Sequence, residues 1–154
     1  MTDFTLASPA FGSGAAIPDR YTCRGADVSP VLAWTGHAAN IKSFALIMDD
    51  PDAPAGTWVH WVIWNIPAST RLLPENVPKS NTIDSGAMQG RNDFGKVGYN
   101  GPCPPPGKTH RYFFRLYALD AMLTLPPGAS RRQLDAAIKG HIVGRDEHMG
   151  TYRR

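Results

Sequence analysis

Ser43-Phe44-Ala45-Leu46-Ile47-Met48 is apolar on both alternating faces once its first residue is passed. Strand side chains point to opposite faces in turn, so a run with no polar face belongs inside a sheet covered on both sides. Working outward, Trp58 to Ile66 is also apolar almost throughout, which excludes a surface hairpin, and Tyr112 to Leu119 forms a third run. Phe4 to Ser8 and Val31 to Trp34 are weaker strand candidates. Turn residues separate almost all of these runs. Short strands joined by Gly/Pro turns and followed by one late helix predict a mainly β, antiparallel sandwich rather than alternating βαβ units. Composition alone leaves a barrel open.

The late helix is signalled by Ser130 followed three residues on by Gln133, a capping-box pattern, and by Leu134, Ile138 and Ile142 at intervals of four. Gly144 is its expected stop, with Gly140 inside it at a cost of about 1 kcal/mol relative to alanine. No internal repeat or linker divides the chain, so residues 1–154 are expected to form a single domain. A chain of 154 residues can bury roughly two-thirds of its unfolded surface and needs no metal or disulfide to fold. Its 15 glycines and 14 prolines are about 19% of the residues, below the ~25% that marks low complexity.

Sixteen basic and 13 acidic side chains leave a net charge of +3. No run of five like charges occurs, which argues against nucleic acid as a partner. Met1 to Ala10 carries Asp3 and has no basic stretch before an apolar core, so no secretory leader is expected. No apolar run approaches the ~18 residues of a membrane span. A cytoplasmic protein is the resulting expectation.

Two dense segments concentrate the chemistry. One runs Asp49-Asp50-Pro51-Asp52-Ala53-Pro54 into Trp58-Val59-His60-Trp61, and the other is Gly101-Pro102-Cys103-Pro104-Pro105-Pro106-Gly107-Lys108-Thr109-His110-Arg111-Tyr112. Each sets carboxylates or imidazoles beside prolines that stiffen the backbone, as a preformed pocket requires. By strict alternation Trp58, His60, Val62 and Trp64 share one face, and His110, Tyr112, Phe114 and Leu116 share another. Taken alone, His60 reads as a hydrogen-bonded core histidine. Arg111 and Arg115 fall opposite His110 with Phe113 and Tyr117, either covering aromatic surface or forming a homodimer contact.

Both segments resemble the two signature regions of the phosphatidylethanolamine-binding protein family, in its bacterial Raf kinase inhibitor-like branch. Ile17-Pro18, Tyr21-Thr22-Cys23-Arg24-Gly25, Ser29-Pro30, Leu32-Ala33-Trp34 and Arg91-Asn92-Asp93-Phe94-Gly95 extend the similarity from about Leu6 to Tyr152. The resemblance implies a β-sandwich with peripheral helices. It also implies an anion pocket made from Asp50, Asp52, His60, Pro104, Pro105, His110 and Tyr112. The expected ligand is a small phosphoanion or phospholipid head group, with a kinase or protease as a further partner. No cofactor and no catalysis are implied. The alternative of another class is a metal-dependent enzyme using His60, His110 and Asp50.

The resemblance further implies cis peptide bonds before prolines around the pocket. It brings the motifs holding Cys23 and Cys103 close together. A structural pair, two packed free thiols and a catalytic thiol all stay open. If paired, a loop of this length is worth about 4 to 5 kcal/mol in the chain-entropy model.

Overall fold

The computed structural model describes residues 3–154; Met1 and Thr2, the first two residues of the expected domain, lie outside them. In chain order the strands are β1 (Thr5–Ala7), β2 (Leu32–Thr35), β3 (Ser43–Asp50), β4 (Trp58–Pro67), β5 (Leu72–Leu73), β6 (Met88–Gln89), β7 (His110–Leu119) and β8 (Ile142–Tyr152). Helix α1 (Arg131–Ile138) precedes the last strand. One sheet runs β1-β2-β5 and the other β6-β4-β3-β7-β8, with every pairing antiparallel. The expected sandwich with a late helix is therefore the fold.

The run that is apolar on both faces occupies the centre of the large sheet, where all eight residues of β3 are buried. Phe44, Leu46 and Met48 face the small sheet and meet Trp61, Phe114 and Trp34 in the inter-sheet core. Ala45 and Ile47 face the other way, with Val62, Trp64 and Leu119, under Leu134 and Ile138 of α1. Each fully buried aliphatic or aromatic side chain contributes roughly 1.5 to 3 kcal/mol, so a polar residue on either face of β3 is disfavoured.

Helix α1 begins as expected: Ser130 accepts from the Gln133 amide while the Gln133 side chain accepts from the Ser130 amide. It ends sooner than expected. Ile138 is its last residue, and Gly140 adopts φ +82° as the stop, a conformation glycine takes without steric cost. Ile142 and Gly144 belong instead to β8. Asp49, only 1% exposed, ties the helix to the sheet. It accepts from Arg115 Nε and Nη2, both at 3.0 Å, and from Arg131 Nη1 at 2.7 Å.

Even alternation fails in β4. Two irregularities interrupt its pairing with β3: Asp49 opposes Val59 while Met48 opposes Trp61, and Leu46 opposes Ile63 while Phe44 opposes Ile66. The first leaves His60 as the extra residue of a bulge, so it does not share a face with Val62 and Trp64. Val59, Val62 and Trp64 face α1, whereas Trp61 and Ile63 face the small sheet. β7 alternates as expected, with Tyr112, Phe114 and Leu116 in the inter-sheet core.

The cis bonds implied by the resemblance are corrected: no cis peptide occurs among the described residues. Trans is the favoured isomer even before proline. The two loops turn through glycine instead, Gly56 at φ +113° and Gly107 at φ +102°.

Candidate functional site

In an antiparallel β4-β3-β7 arrangement, the end of β3 lies beside the start of β4 and the start of β7. Asp50 pairs with Trp58 in register, and Asp49 with both Val59 and Phe113. Residues distant in sequence thereby meet at one end of the large sheet, around a cavity of about 180 Å³. Asp50, His60, Pro104, Pro105, His110 and Tyr112 all line it. Asp52 does not. It sits outside, where its carboxylate accepts from the Arg111 amide, Nε and Nη2, each at 2.9 Å. Those bonds hold its pKa down to about 2.

Both pocket histidines are fixed through Nδ1. His110 Nδ1 donates to Asp50 Oδ2 at 2.7 Å, a contact with both side chains almost wholly buried. His60 Nδ1 donates to the Asn100 carbonyl at 2.6 Å. A carbonyl only accepts, so the Nδ1-H tautomer is set for His60. Among the described residues no hydrogen bond is made to Nε2 of either ring. A neutral ring offers a lone pair there and a protonated ring offers a donor.

Burial lowers the His60 pKa, with the Asn100 carbonyl acting against that shift. The buried ring is therefore held neutral. Because the unfolded chain binds a proton near pH 6.5 and the folded chain resists it, this contribution to stability is complete above 6.5 and is lost as pH falls through the lowered folded value. His60→Gln should reduce the difference in urea midpoint between pH 7 and pH 5. Identical differences for wild type and variant would show that His60 does not set it.

Tyr112 completes the floor. Burial, then the charge of Asp50 and a hydrogen bond to it, push its pKa far above the usual phenol value, so the hydroxyl stays a donor. The ring stands edge-on to His60 at 5.3 Å between centroids. Asp50 also accepts from the Asp52 amide at 2.7 Å, bracing the turn that follows β3.

The rest of the lining, Ala53, Pro54, Trp58, Phe94 and Cys103, comes from the quoted motifs but lies outside the expected set of anion-pocket residues. Phe94, 38% exposed, lies edge-on to both Trp58 and His60, at 5.5 and 5.3 Å. Asn92 places it by accepting from the amides of Phe94 and Lys96. Asn92 also donates to Asn100 Oδ1, the residue whose carbonyl holds His60. The turn-forming Asn92-Asp93-Phe94-Gly95 was the available signal. Gly101 has no room for a side chain: a Cβ there would lie 1.9 Å from the Tyr21 carbonyl oxygen. That close approach brings the second motif onto the Tyr21–Cys23 turn.

Cys23 and Cys103 form a disulfide, which leaves neither the packed-thiol nor the catalytic-thiol reading. Arg111 and Arg115 lie over the Phe113 ring at 5.6 and 4.6 Å and bind Asp52 and Asp49 of their own chain, as covering residues do. No group of three His, Cys, Asp or Glu side chains able to hold a metal ion occurs among the described residues. No helix among them is long and apolar enough to cross a membrane.

The family model for phosphatidylethanolamine-binding protein matches residues 7–153. A UPF0098 protein of Methanothermobacter thermautotrophicus is 52% identical over 97% of this chain and 98% of its own. One from Aquifex aeolicus is 50% identical over 96% and 86%. Among solved structures, E. coli YbcL, described as a new member of the mammalian PEBP family, superposes with a TM-score of 0.92 at 33% identity, covering 99% of both chains. CT736 of Chlamydia trachomatis, described as a PEBP homolog, gives 0.90 at 38%, covering 100% of this chain and 99% of its own. With residues 7–153 matched by the family model and nearly all of its length by these relatives, the chain belongs to the phosphatidylethanolamine-binding protein family.

Proposed function

We propose that this protein is a non-enzymatic binding protein whose cavity captures a small phosphoanion, either free or as the head group of a phospholipid. The observation that carries the reading is the pair of imidazoles, each tethered through Nδ1 and each lining the same cavity. Asp50, although negative, fixes the His110 ring through Nδ1, and a protonated imidazole donates a charge-assisted hydrogen bond to an anion. Charge-assisted hydrogen bonds of this kind contribute about 1.5 to 3 kcal/mol each. Trp58, Phe94 and Pro54 give the mouth an apolar rim that suits the carbon chain next to a phosphate ester. Inhibition of a kinase or protease would act through this pocket, by capture of a phosphorylated or anionic segment of the target.

The metal-enzyme alternative finds no support, since Asp50 is already committed to His110 Nδ1 and the Asp52 amide. A cytoplasmic location fits the Cys23–Cys103 bond only if that bond is reversible or kept by unusual redox conditions.

Calorimetric titration with inorganic phosphate and O-phosphoethanolamine tests the site. Either His60→Ala or His110→Ala should weaken binding by about 10- to 100-fold, the equivalent of one charge-assisted bond. Wild-type affinity should rise as pH falls from 8 to 6, with proton uptake on binding. Equal affinity in all three proteins would remove the pocket from consideration. Tighter binding of the ester than of free phosphate would favour the head group.

A further inference from the structure

We propose that the Cys23–Cys103 disulfide is a thiol-exchange site that sets the shape of the pocket wall, opened by a dithiol reductant and closed again by the reverse exchange. The ligand consequence rests on the anion-pocket reading, while the structural consequence stands without it. Cys103 lines the cavity together with Pro104 and Pro105. Its bond reaches Cys23, 80 residues earlier. Neither cysteine belongs to either core, and both are exposed. A thiolate can therefore approach this bond from solvent, as it cannot approach a bond sealed in a core.

The wall is also held by bonds that do not involve sulfur. Cys23 N donates to the Pro102 carbonyl at 3.1 Å, and Gly101 N to Asp27 Oδ1 at 2.8 Å. On the far side Arg154 Nε donates to the Pro104 carbonyl at 2.6 Å, and Gly107 N to the Arg154 carbonyl at 3.1 Å. These contacts keep the segment on the fold after the S–S bond is cut. What is lost is the covalent tie between the Cys103 wall and the turn that begins at Thr22. The wall then samples more conformations, and a ligand has to order it on binding.

The exchange balances without any other reactant. A thiolate of the dithiol attacks one sulfur of the pair and displaces the other as a thiolate, forming a mixed disulfide. The second thiol of the reductant then attacks that bond. Two electrons and two protons pass to Cys23 and Cys103, and the reductant leaves as its own disulfide.

The experiment compares oxidised protein, protein reduced by dithiothreitol under inert gas, and the Cys23→Ser/Cys103→Ser double variant. Amide hydrogen exchange and calorimetric titration with inorganic phosphate are followed on all three. Reduction and the double substitution should both speed exchange selectively at the Cys23, Gly101 and Gly107 amides that tie the wall down, leave strand amides of β3 and β7 protected, and weaken phosphate binding about tenfold. Linkage then requires saturating phosphate to make the reduction potential more negative by about 30 mV, the two-electron equivalent of a tenfold difference. Unchanged exchange in the 101–109 segment overturns the proposal. So does loss of protection across the whole sheet, which would make the bond a plain staple. Failure of the oxidised protein to bind phosphate defeats the anion-pocket reading, while the exchange data still decide whether the wall responds to reduction.

Discussion

Replacing Asp49 by alanine should lower the unfolding free energy by about 3 kcal/mol, the low end of what removing one member of a buried ion pair costs. The carboxylate receives two bonds from Arg115 of β7 and one from Arg131 of α1. With it gone, two guanidiniums face each other over a vacated buried site. The loss stays near the low end because the arginines are 22% and 25% exposed and have second partners in Glu147 and Asp135. Arg131→Ala should cost only about 1 kcal/mol, since Asp49 keeps both bonds to Arg115. Urea denaturation measures both. A lower midpoint at unchanged slope is expected, and a loss below about 1 kcal/mol for Asp49→Ala would mean that hydrophobic packing alone seats the helix.

Asp50→Asn should weaken phosphoanion binding by about tenfold or more, even though it removes a negative charge from an anion site. Simple Coulomb repulsion predicts the opposite. Asp50 serves as acceptor for His110 Nδ1 at 2.7 Å, for the Asp52 amide at 2.7 Å and for the Tyr112 hydroxyl. An asparagine has one oxygen for these three donors, and its NH2 group would face one of them. Either the ring loses its orientation or the turn after β3 loses its brace. Titration of the variant with phosphate at pH 6 and 8 separates the two accounts: tighter binding would show repulsion to dominate, and weaker binding would show that the carboxylate acts by positioning His110.

The parts of the fold that the sequence revealed are those governed by apolar periodicity. β3 and β7 were legible because their side chains face two cores or one core in regular alternation. β8 was not, because Arg145, Asp146 and Glu147 interrupt its pattern and Gly144 reads as a helix stop. It is an edge strand with a polar outer face, and its buried positions are Gly144, His148, Gly150 and Tyr152. Alternation also misplaced His60, since a bulge is a backbone event with no residue signature at Val59-His60-Trp61. The pocket residues themselves came from motif resemblance, and six of the seven line one cavity. Asp52 is the exception, because Arg111, 59 residues later in the adjacent strand β7, captures it at the surface. Phe94 was overlooked because its position depends on the side-chain bonds of Asn92, which no spacing rule exposes.

The central claim is that Nε2 of His60 and Nε2 of His110 receive the same anion. NMR of the histidine side chains during titration with phosphate and O-phosphoethanolamine, from pH 5 to 8, tests it most directly. Both rings should respond at one common affinity, keep Nδ1 protonated, and show pKa values that rise on saturation. Saturable binding that leaves both rings unmoved would contradict the account and place the ligand elsewhere on the protein.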